Sequence, residues 1–504
     1  MANVLYDALF APHENNSAEF LRQPQQPALS YSEFILLTGN IANALTIIGA
    51  QPGDRVAVQV NKSVQALALY AACVRSGCIF LPLNTAYTAR EIDYFVGDAE
   101  PAILVVDGDV ADELQPLADK SNCQLVTLNA DGSGSLTELA ARQSSEFSPI
   151  ERSADDIAAI LYTSGTTGRS KGAMLTHRNL LSNAETLQEY WQFTSSDVLL
   201  HALPIYHTHG LFVASNTILL SGASMIFLPS FKIDEVIDHL PNATSMMGVP
   251  TFYTRLLADD RLNKDLVSHM RLFISGSAPL LAETHESFEQ RTGMRILERY
   301  GMTETNMNTS NPYTGVRKAG TVGFPLPGIE IKICDPKSGQ QLQPDEIGVL
   351  EVKGPNVFSG YWRMPEKTAE ELREDGYFIT GDLAKIDSDG YVHIVGRDKD
   401  LIISGGFNIY PKEIELLLDE QPNVQESAVV AAPHADFGEG VVAVLVPLPD
   451  KTLDTDQIAS AMAGAVAKFK QPKAYHIVDS LPRNTMGKVQ KNILRDQVKD
   501  FFNT

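Results

Sequence analysis

The chain reads as an α/β protein in at least two parts, a large N-terminal domain followed by a small α+β C-terminal domain. Three observations predict this. Its 504 residues exceed the roughly 250–300 over which a single hydrophobic core keeps growing. Up to about residue 330, apolar segments of helical period alternate with short apolar runs, the pattern of largely parallel sheets covered by helices. Beyond Pro325 the pattern changes to short strands separated by Gly, Pro and Asp turns, and after Arg397 to a mixed set of helices and strands.

In order along the chain, Ser32–Ile48 reads as a helix with Ser32 as its N-cap, closed by Gly49 and a Pro-Gly turn. Arg55–Val60 reads as a strand, Val64–Arg75 as a helix, and Cys78–Leu81, Ala102–Val106 and Gln124–Leu128 as short strands. Ile329–Cys334, Gly348–Lys353 and Gly390–Val395 suggest a smaller antiparallel barrel or sheet. The charge cluster Arg397-Asp-Lys-Asp400 suits a domain junction, giving domains 1–397 and 398–504. In the second, Pro411–Glu420 and Thr455–Ala467 read as helices and Ser427–Ala432 and Val441–Pro447 as strands. That is a compact unit of roughly one hundred residues, a normal domain size.

Composition narrows the function classes. With 62 acidic against 40 basic residues the net charge is −22, which argues against nucleic acid or anionic membranes as partners. An anionic substrate must therefore be met by locally placed cations. Met1-Ala-Asn-Val-Leu-Tyr-Asp lacks the basic and apolar regions of a secretory signal, and no apolar run approaches the ~20 residues of a membrane helix. Cys73, Cys78, Cys123 and Cys334 show neither CxxC spacing nor nearby histidines. They read as buried thiols of a protein in the reducing cytoplasm.

The most informative stretch is Leu161-Tyr-Thr-Ser-Gly-Thr-Thr-Gly-Arg-Ser-Lys-Gly172. An apolar run leads into five Ser/Thr hydroxyls, three glycines and a lysine. Glycines let backbone approach a ligand, and hydroxyls with exposed N–H groups bind phosphate oxygens. The spacing is not that of a P-loop NTPase, because Lys171 precedes Gly172 rather than Ser or Thr. Five further segments accompany it: Tyr300-Gly-Met-Thr-Glu304, Phe378-Ile-Thr-Gly-Asp382, Gly396-Arg-Asp-Lys-Asp400, Ser404-Gly-Gly-Phe-Asn-Ile-Tyr-Pro-Lys-Glu-Ile414 and Pro482-Arg-Asn-Thr-Met-Gly-Lys488.

With these motifs in order over nearly its whole length, the chain resembles the adenylate-forming superfamily of acyl-CoA synthetases, luciferases and nonribosomal adenylation domains. Within it, Glu298-Arg-Tyr-Gly-Met-Thr-Glu-Thr-Asn-Met307, Ile205-Tyr-His-Thr-His-Gly-Leu211 and Val249-Pro-Thr-Phe-Tyr-Thr-Arg-Leu256 are most similar to the malonyl-CoA synthetases. The resemblance implies the adenylate-forming enzyme fold, with two mixed α/β subdomains and a small β-barrel before a mobile C-terminal domain. It also implies the reaction: carboxylate and ATP give acyl-AMP and diphosphate, and the CoA thiol then displaces AMP. In-line attack on phosphorus leaves catalysis mainly to positioning and electrostatics.

The implied roles follow residue by residue. Thr163, Ser164, Gly165, Thr166, Thr167, Gly168 and Lys171 would hold the β- and γ-phosphates. Glu304 would hold Mg²⁺, a hard cation that prefers oxygen ligands, and Thr303 would contact the α-phosphate. Asp382 would accept from the ribose diol with Arg397 adding a donor. Adenine would lie between Gly276-Ser277-Ala278 and Glu298-Arg299-Tyr300-Gly301. Lys488 would bridge carboxylate and α-phosphate during adenylation, and it resembles an acetylation site of related synthetases, which implies a lysine acetyltransferase as a partner. Lys399 matches the family's hinge position, and Gly405 and Gly406 would form the wall of the pantetheine tunnel.

For the acid, Arg255 offers a fork of donors to a second carboxylate, with Ser277 adding a hydroxyl and His207 in the pocket wall. Two readings of Arg255 stay open, a carboxylate clamp or an exposed helix arginine. His207 and His209 lack the third ligand a metal would need. The expected small molecules are therefore malonate, with methylmalonate as an alternative acid, ATP, Mg²⁺ and CoA. Another short-chain or aryl acyl-CoA synthetase, a carrier-dependent adenylation domain and a catalytically dead module are the competing readings.

Overall fold

A computed structural model describes residues 3–163, 170–404, 407–434, 436–484 and 487–502. The chain divides into two compact units, residues 1–330 with 352–378 and residues 331–351 with 379–504. The small antiparallel sheet thus groups with the C-terminal segment, so these units divide the chain elsewhere than at the Arg397 boundary expected from the charge cluster.

The first unit carries two sheets among the described residues. One has the spatial order Gln124–Thr127, Ile103–Val106, Arg55–Gln59, Ile79–Pro82, Ile157–Thr163, Lys171–Thr176. Its pairs are parallel except the last, where Ile157–Thr163 turns back on Lys171–Thr176 with Thr163 opposite Lys171. The helix Ala89–Ala99 closes a core over this sheet through Ile92, Phe95 and Val96, against Leu81, Leu104, Val106 and Ile160.

The other sheet runs Phe324–Pro325, Asn306–Ser310, Leu297–Met302, Leu272–Ser275, Ser245–Gly248, Val198–His201, Ser224–Phe227, Glu19–Arg22, Leu29–Ser30. Its central strands are parallel and its two edges antiparallel.

Local signals mostly act where the sequence places them. The second helix runs Tyr31–Ile47, and its N-cap is Ser30 rather than Ser32. Ser30 accepts from the Glu33 amide while the Glu33 carboxylate accepts from the Ser30 amide, a reciprocal box that Ser32 would lack the partner for. Val64–Ser76 is capped by Ser63 and stopped by Gly77 at φ 70°, where glycine meets no Cβ penalty.

In the second unit, Glu330–Cys334, Gly348–Lys353, Phe378–Ile386 and Val392–Arg397 form a four-stranded sheet in sequence order, where the sequence suggests a smaller antiparallel barrel or sheet. The last strand sits two residues later than Gly390–Val395, which brings Arg397 into register with Asp382. The remaining sheet pairs Val424–His434 with Gly438–Pro447, flanked by Ile402–Ser404, Phe407–Ile409 and Ala474–Ile477. Helices Pro411–Asp419 and Thr455–Ala465 cover its core of Ile414, Leu418, Val429, Ala443 and Met462.

Candidate active site

The hairpin of Ile157–Thr163 and Lys171–Thr176 brackets the phosphate motif. Ser164, Gly165, Thr166, Thr167 and Gly168 lie outside the described residues, as do Gly405 and Gly406. Thr163 and Lys171 face one another at the hairpin's open end. Lys171 is 7% exposed. Its Nζ donates to both Glu371 oxygens, each at 3.1 Å, and lies 4.1 Å from the centre of the Tyr361 ring. The Tyr361 hydroxyl stands 2.6 Å from Glu371 Oε2 and 3.1 Å from Glu304 Oε1, and the Thr163 hydroxyl stands 3.4 Å from the same Glu304 oxygen. Burial alone would raise the Glu371 carboxyl; Tyr361, Lys367 and Lys171 outweigh it and hold it below the usual range.

Glu304 and Thr303 occupy the turn between Leu297–Met302 and Asn306–Ser310. The strands close tightly there, because a Cβ on Gly301 would lie 1.8 Å from the Asn306 carbonyl oxygen. Glu304 is buried, and the Phe358 amide donates to its carbonyl at 2.8 Å. Thr163, Tyr361 and Glu304 give an all-oxygen donor set around a carboxylate. That suits a hard divalent cation sharing phosphate oxygens, and among the described residues no three His, Cys, Asp or Glu side chains cluster as a protein-only cage.

Next to this turn lies a buried cation. Arg299 is 3% exposed, and its Nε and Nη2 have no hydrogen-bond partner among the described residues. Burial pushes the guanidinium down to about 9, still cationic at neutral pH. It packs where a Gly276 Cβ would come within 2.3 Å of its carbon, so a larger residue at 276 would push the guanidinium aside. Ser277 holds φ 70°, a strained conformation for a residue with a Cβ. Its hydroxyl is 3.3 Å from His209 Nδ1. His209 is buried, its Nε2 also lacks a partner among the described residues, and burial followed by the Arg299 charge holds it neutral. It opens the π-helical segment His209–Ser215, a distortion often found at functional sites.

Of the other expected residues in this unit, Glu298 is buried with its carboxyl 3.6 Å from His285, and burial pushes that carboxyl up. Tyr300, Ala278 and His207 are half-buried. Arg255 is exposed on Pro250–Leu257, with its guanidinium 5.9 Å from the Phe231 ring centre.

In the second unit Asp382 and Arg397 form one piece. Arg397 Nε meets Asp382 Oδ1 at 2.7 Å across paired strands, and the Thr380 hydroxyl accepts from the Asp382 amide at 3.0 Å. The carboxylate is thus oriented before any ligand arrives. Lys399 is exposed in the 3₁₀ turn Asp398–Asp400. Lys488 sits in a turn where its amide donates to Asn484 Oδ1 and its carbonyl accepts from the Asn484 amide, both at 2.9 Å.

Motif reading missed Tyr361 and Glu371 altogether. Glu371 lies 200 residues beyond Lys171, at the end of the helix Pro365–Glu371, and only the fold brings them together.

The AMP-binding enzyme family matches residues 11–362, and the AMP-binding enzyme C-terminal domain matches residues 413–488. A malonate–CoA ligase of Arabidopsis thaliana is 34% identical over 485 residues, covering 90% of this chain and 79% of the relative. A feruloyl-CoA synthase of Amycolatopsis sp is also 34% identical, over 472 residues, covering 93% and 94%. Identity to these two does not separate a small dicarboxylate from an aromatic acid. The ATP-bound structure of MatB from Rhodopseudomonas palustris is 57% identical, with a TM-score of 0.98 and 100% of both chains covered.

Proposed function

This chain belongs to the family of AMP-binding enzymes, and from that premise we propose that it is an AMP-forming ligase joining malonate to coenzyme A. A malonate carboxylate oxygen attacks the α-phosphorus of ATP, diphosphate leaves, and malonyl-AMP forms. The CoA sulfur then attacks the acyl carbon and AMP leaves. The first unit supplies Thr163, residues 164–168 and Lys171 for the outer phosphates and Thr303 for the α-phosphate. Glu304 would hold Mg²⁺, which when bound neutralises phosphate charge. The second unit supplies Asp382 with Arg397 for the ribose, Lys488 for adenylation, and Gly405 and Gly406 toward pantetheine.

The observation that carries the choice of acid is Arg299, a buried guanidinium near Ser277 and His209 with two nitrogens that have no partner among the described residues. A buried cation without a counterion costs several kcal/mol unless something pairs it. The distal carboxylate of malonate has the charge and the two oxygens to do so. Arg299, expected on the nucleotide side, is here assigned to the acid. Arg255, exposed on its helix, is assigned the outer approach to that carboxylate, and His207 its wall. A long-chain or aromatic acid would instead need apolar lining where Arg299 stands.

Arg299→Met tests this, because replacing a buried charge by an apolar side chain of similar length commonly leaves a fold intact. It should lower kcat/KM for malonate by roughly 30- to several-thousand-fold, the range of losing a buried charge pair, and leave butyrate little changed. A folded Arg299→Met enzyme that still prefers malonate as strongly would overturn the assignment.

A further inference from the structure

The phosphate lysine and the metal-side carboxylate are joined through two residues that no motif assigns. Lys171 is nearly buried, and both oxygens of Glu371 grip its ammonium at 3.1 Å while the Tyr361 ring lies beneath it at 4.1 Å. Such a grip fixes an otherwise flexible four-carbon stem. Glu371 is itself fixed, by the Tyr361 hydroxyl at 2.6 Å and by Lys367 at 3.0 Å. Tyr361 has one hydroxyl proton and two carboxylates in reach, Glu371 at 2.6 Å and Glu304 at 3.1 Å. The proton serves one carboxylate at a time, and the hydroxyl lies within hydrogen-bond distance of both. One buried phenol thus sets the spacing between the groups assigned to the outer phosphates and to the cation.

We propose that Glu371 and Tyr361 are positioning residues for ATP. Glu371 clamps Lys171 at the phosphates, and Tyr361 ties that clamp to Glu304. This rests on the reading above that Lys171 and Glu304 serve ATP. A carboxylate that merely competed with phosphate for Lys171 would have the opposite effect, since its removal would tighten nucleotide binding.

The test is equilibrium ATP binding by titration calorimetry, together with KM for ATP and for malonate, on Glu371→Gln and Tyr361→Phe. Tyr361→Phe keeps the ring under Lys171 and loses only the hydroxyl, so it gives a folded comparison if Glu371→Gln is unstable. Glu371→Gln should weaken ATP on the order of tenfold and Tyr361→Phe about threefold, the scale of misplacing a charge-assisted contact. KM for malonate should move less than about twofold, which a general loss of structure would not produce. In a Lys171→Ala background Glu371→Gln should add nothing further, because the residue acts through the lysine.

Unchanged or tighter ATP binding by the folded variants, or additive losses in the Lys171→Ala background, would overturn the proposal. An unmodified enzyme that neither binds ATP nor releases diphosphate with malonate would bring down the assigned reaction as well. A normal unmodified enzyme with unmoved variants would bring down this inference alone.

Discussion

Lys488 shows what single residues contribute and what a sequence can say of them. Its backbone is pinned by Asn484 in a tight turn, which fixes where a long, compact cation starts from. If it bridges carboxylate and α-phosphate, Lys488→Ala should slow diphosphate release by about 10²–10³-fold, as removal of one transition-state donor does elsewhere. Thioester formation from supplied malonyl-AMP should persist. Parallel loss of both half-reactions, timed separately, would contradict the role, and acetylation of the same amine should act like the alanine. The sequence drew attention to Lys171, Glu304, Asp382 and Arg397, since each sits in a short run of turn and strand residues. It gave no sign of Tyr361 or Glu371, whose chemistry exists only once the chain is folded. Arg299 was visible as a residue, but its burial against Gly276 was not.

At the scale of elements, helices and strands were readable because caps, glycines and apolar periods act locally. Their ends slipped where a reciprocal partner decided the matter, as Glu33 did for Ser30. The π-helix at His209–Ser215 left no trace in the apolar pattern, since its run is apolar whichever helix it forms. The helix Pro411–Asp419 carries a further consequence. Asp419 accepts from the Ser427 hydroxyl at 2.7 Å, and burial, with Glu415 nearby, pushes its carboxyl up to about 6 against the attraction of Lys412. Between its ordinary value of 3.8 and about 6 the folded chain therefore binds more proton than the unfolded one. Stability from this group is full below about pH 4 and is lost as the pH rises through about 6. Asp419→Asn, which keeps an acceptor for Ser427, should remove that loss and raise the melting temperature at pH 7 by about 2–4 °C. Calorimetry across pH 4–8 that finds the same slope in both proteins would contradict this.

For the whole molecule, a net charge of −22 opposes the approach of ATP and malonate alike, and the buried Lys171 and Arg299 are among the cations proposed to offset it locally. The two half-reactions also need different groups at the acyl carbon, first an ammonium and then a thiol. A rotation about Lys399 would exchange them. Position two of its 3₁₀ turn tolerates proline, since first-turn amides lack partners within a helix. Lys399→Pro fixes φ near about −65° and should slow thioester formation much more than adenylation; equal slowing of both would move the hinge elsewhere. Which acid is activated defines the enzyme. The most direct measurement is CoA- and ATP-dependent AMP release with malonate, methylmalonate, acetate, butyrate and ferulate, each at several concentrations. Malonate should exceed butyrate and ferulate in kcat/KM by at least about 30-fold, the lower end for a buried charge pair. Butyrate or ferulate turned over as well as malonate would contradict the account.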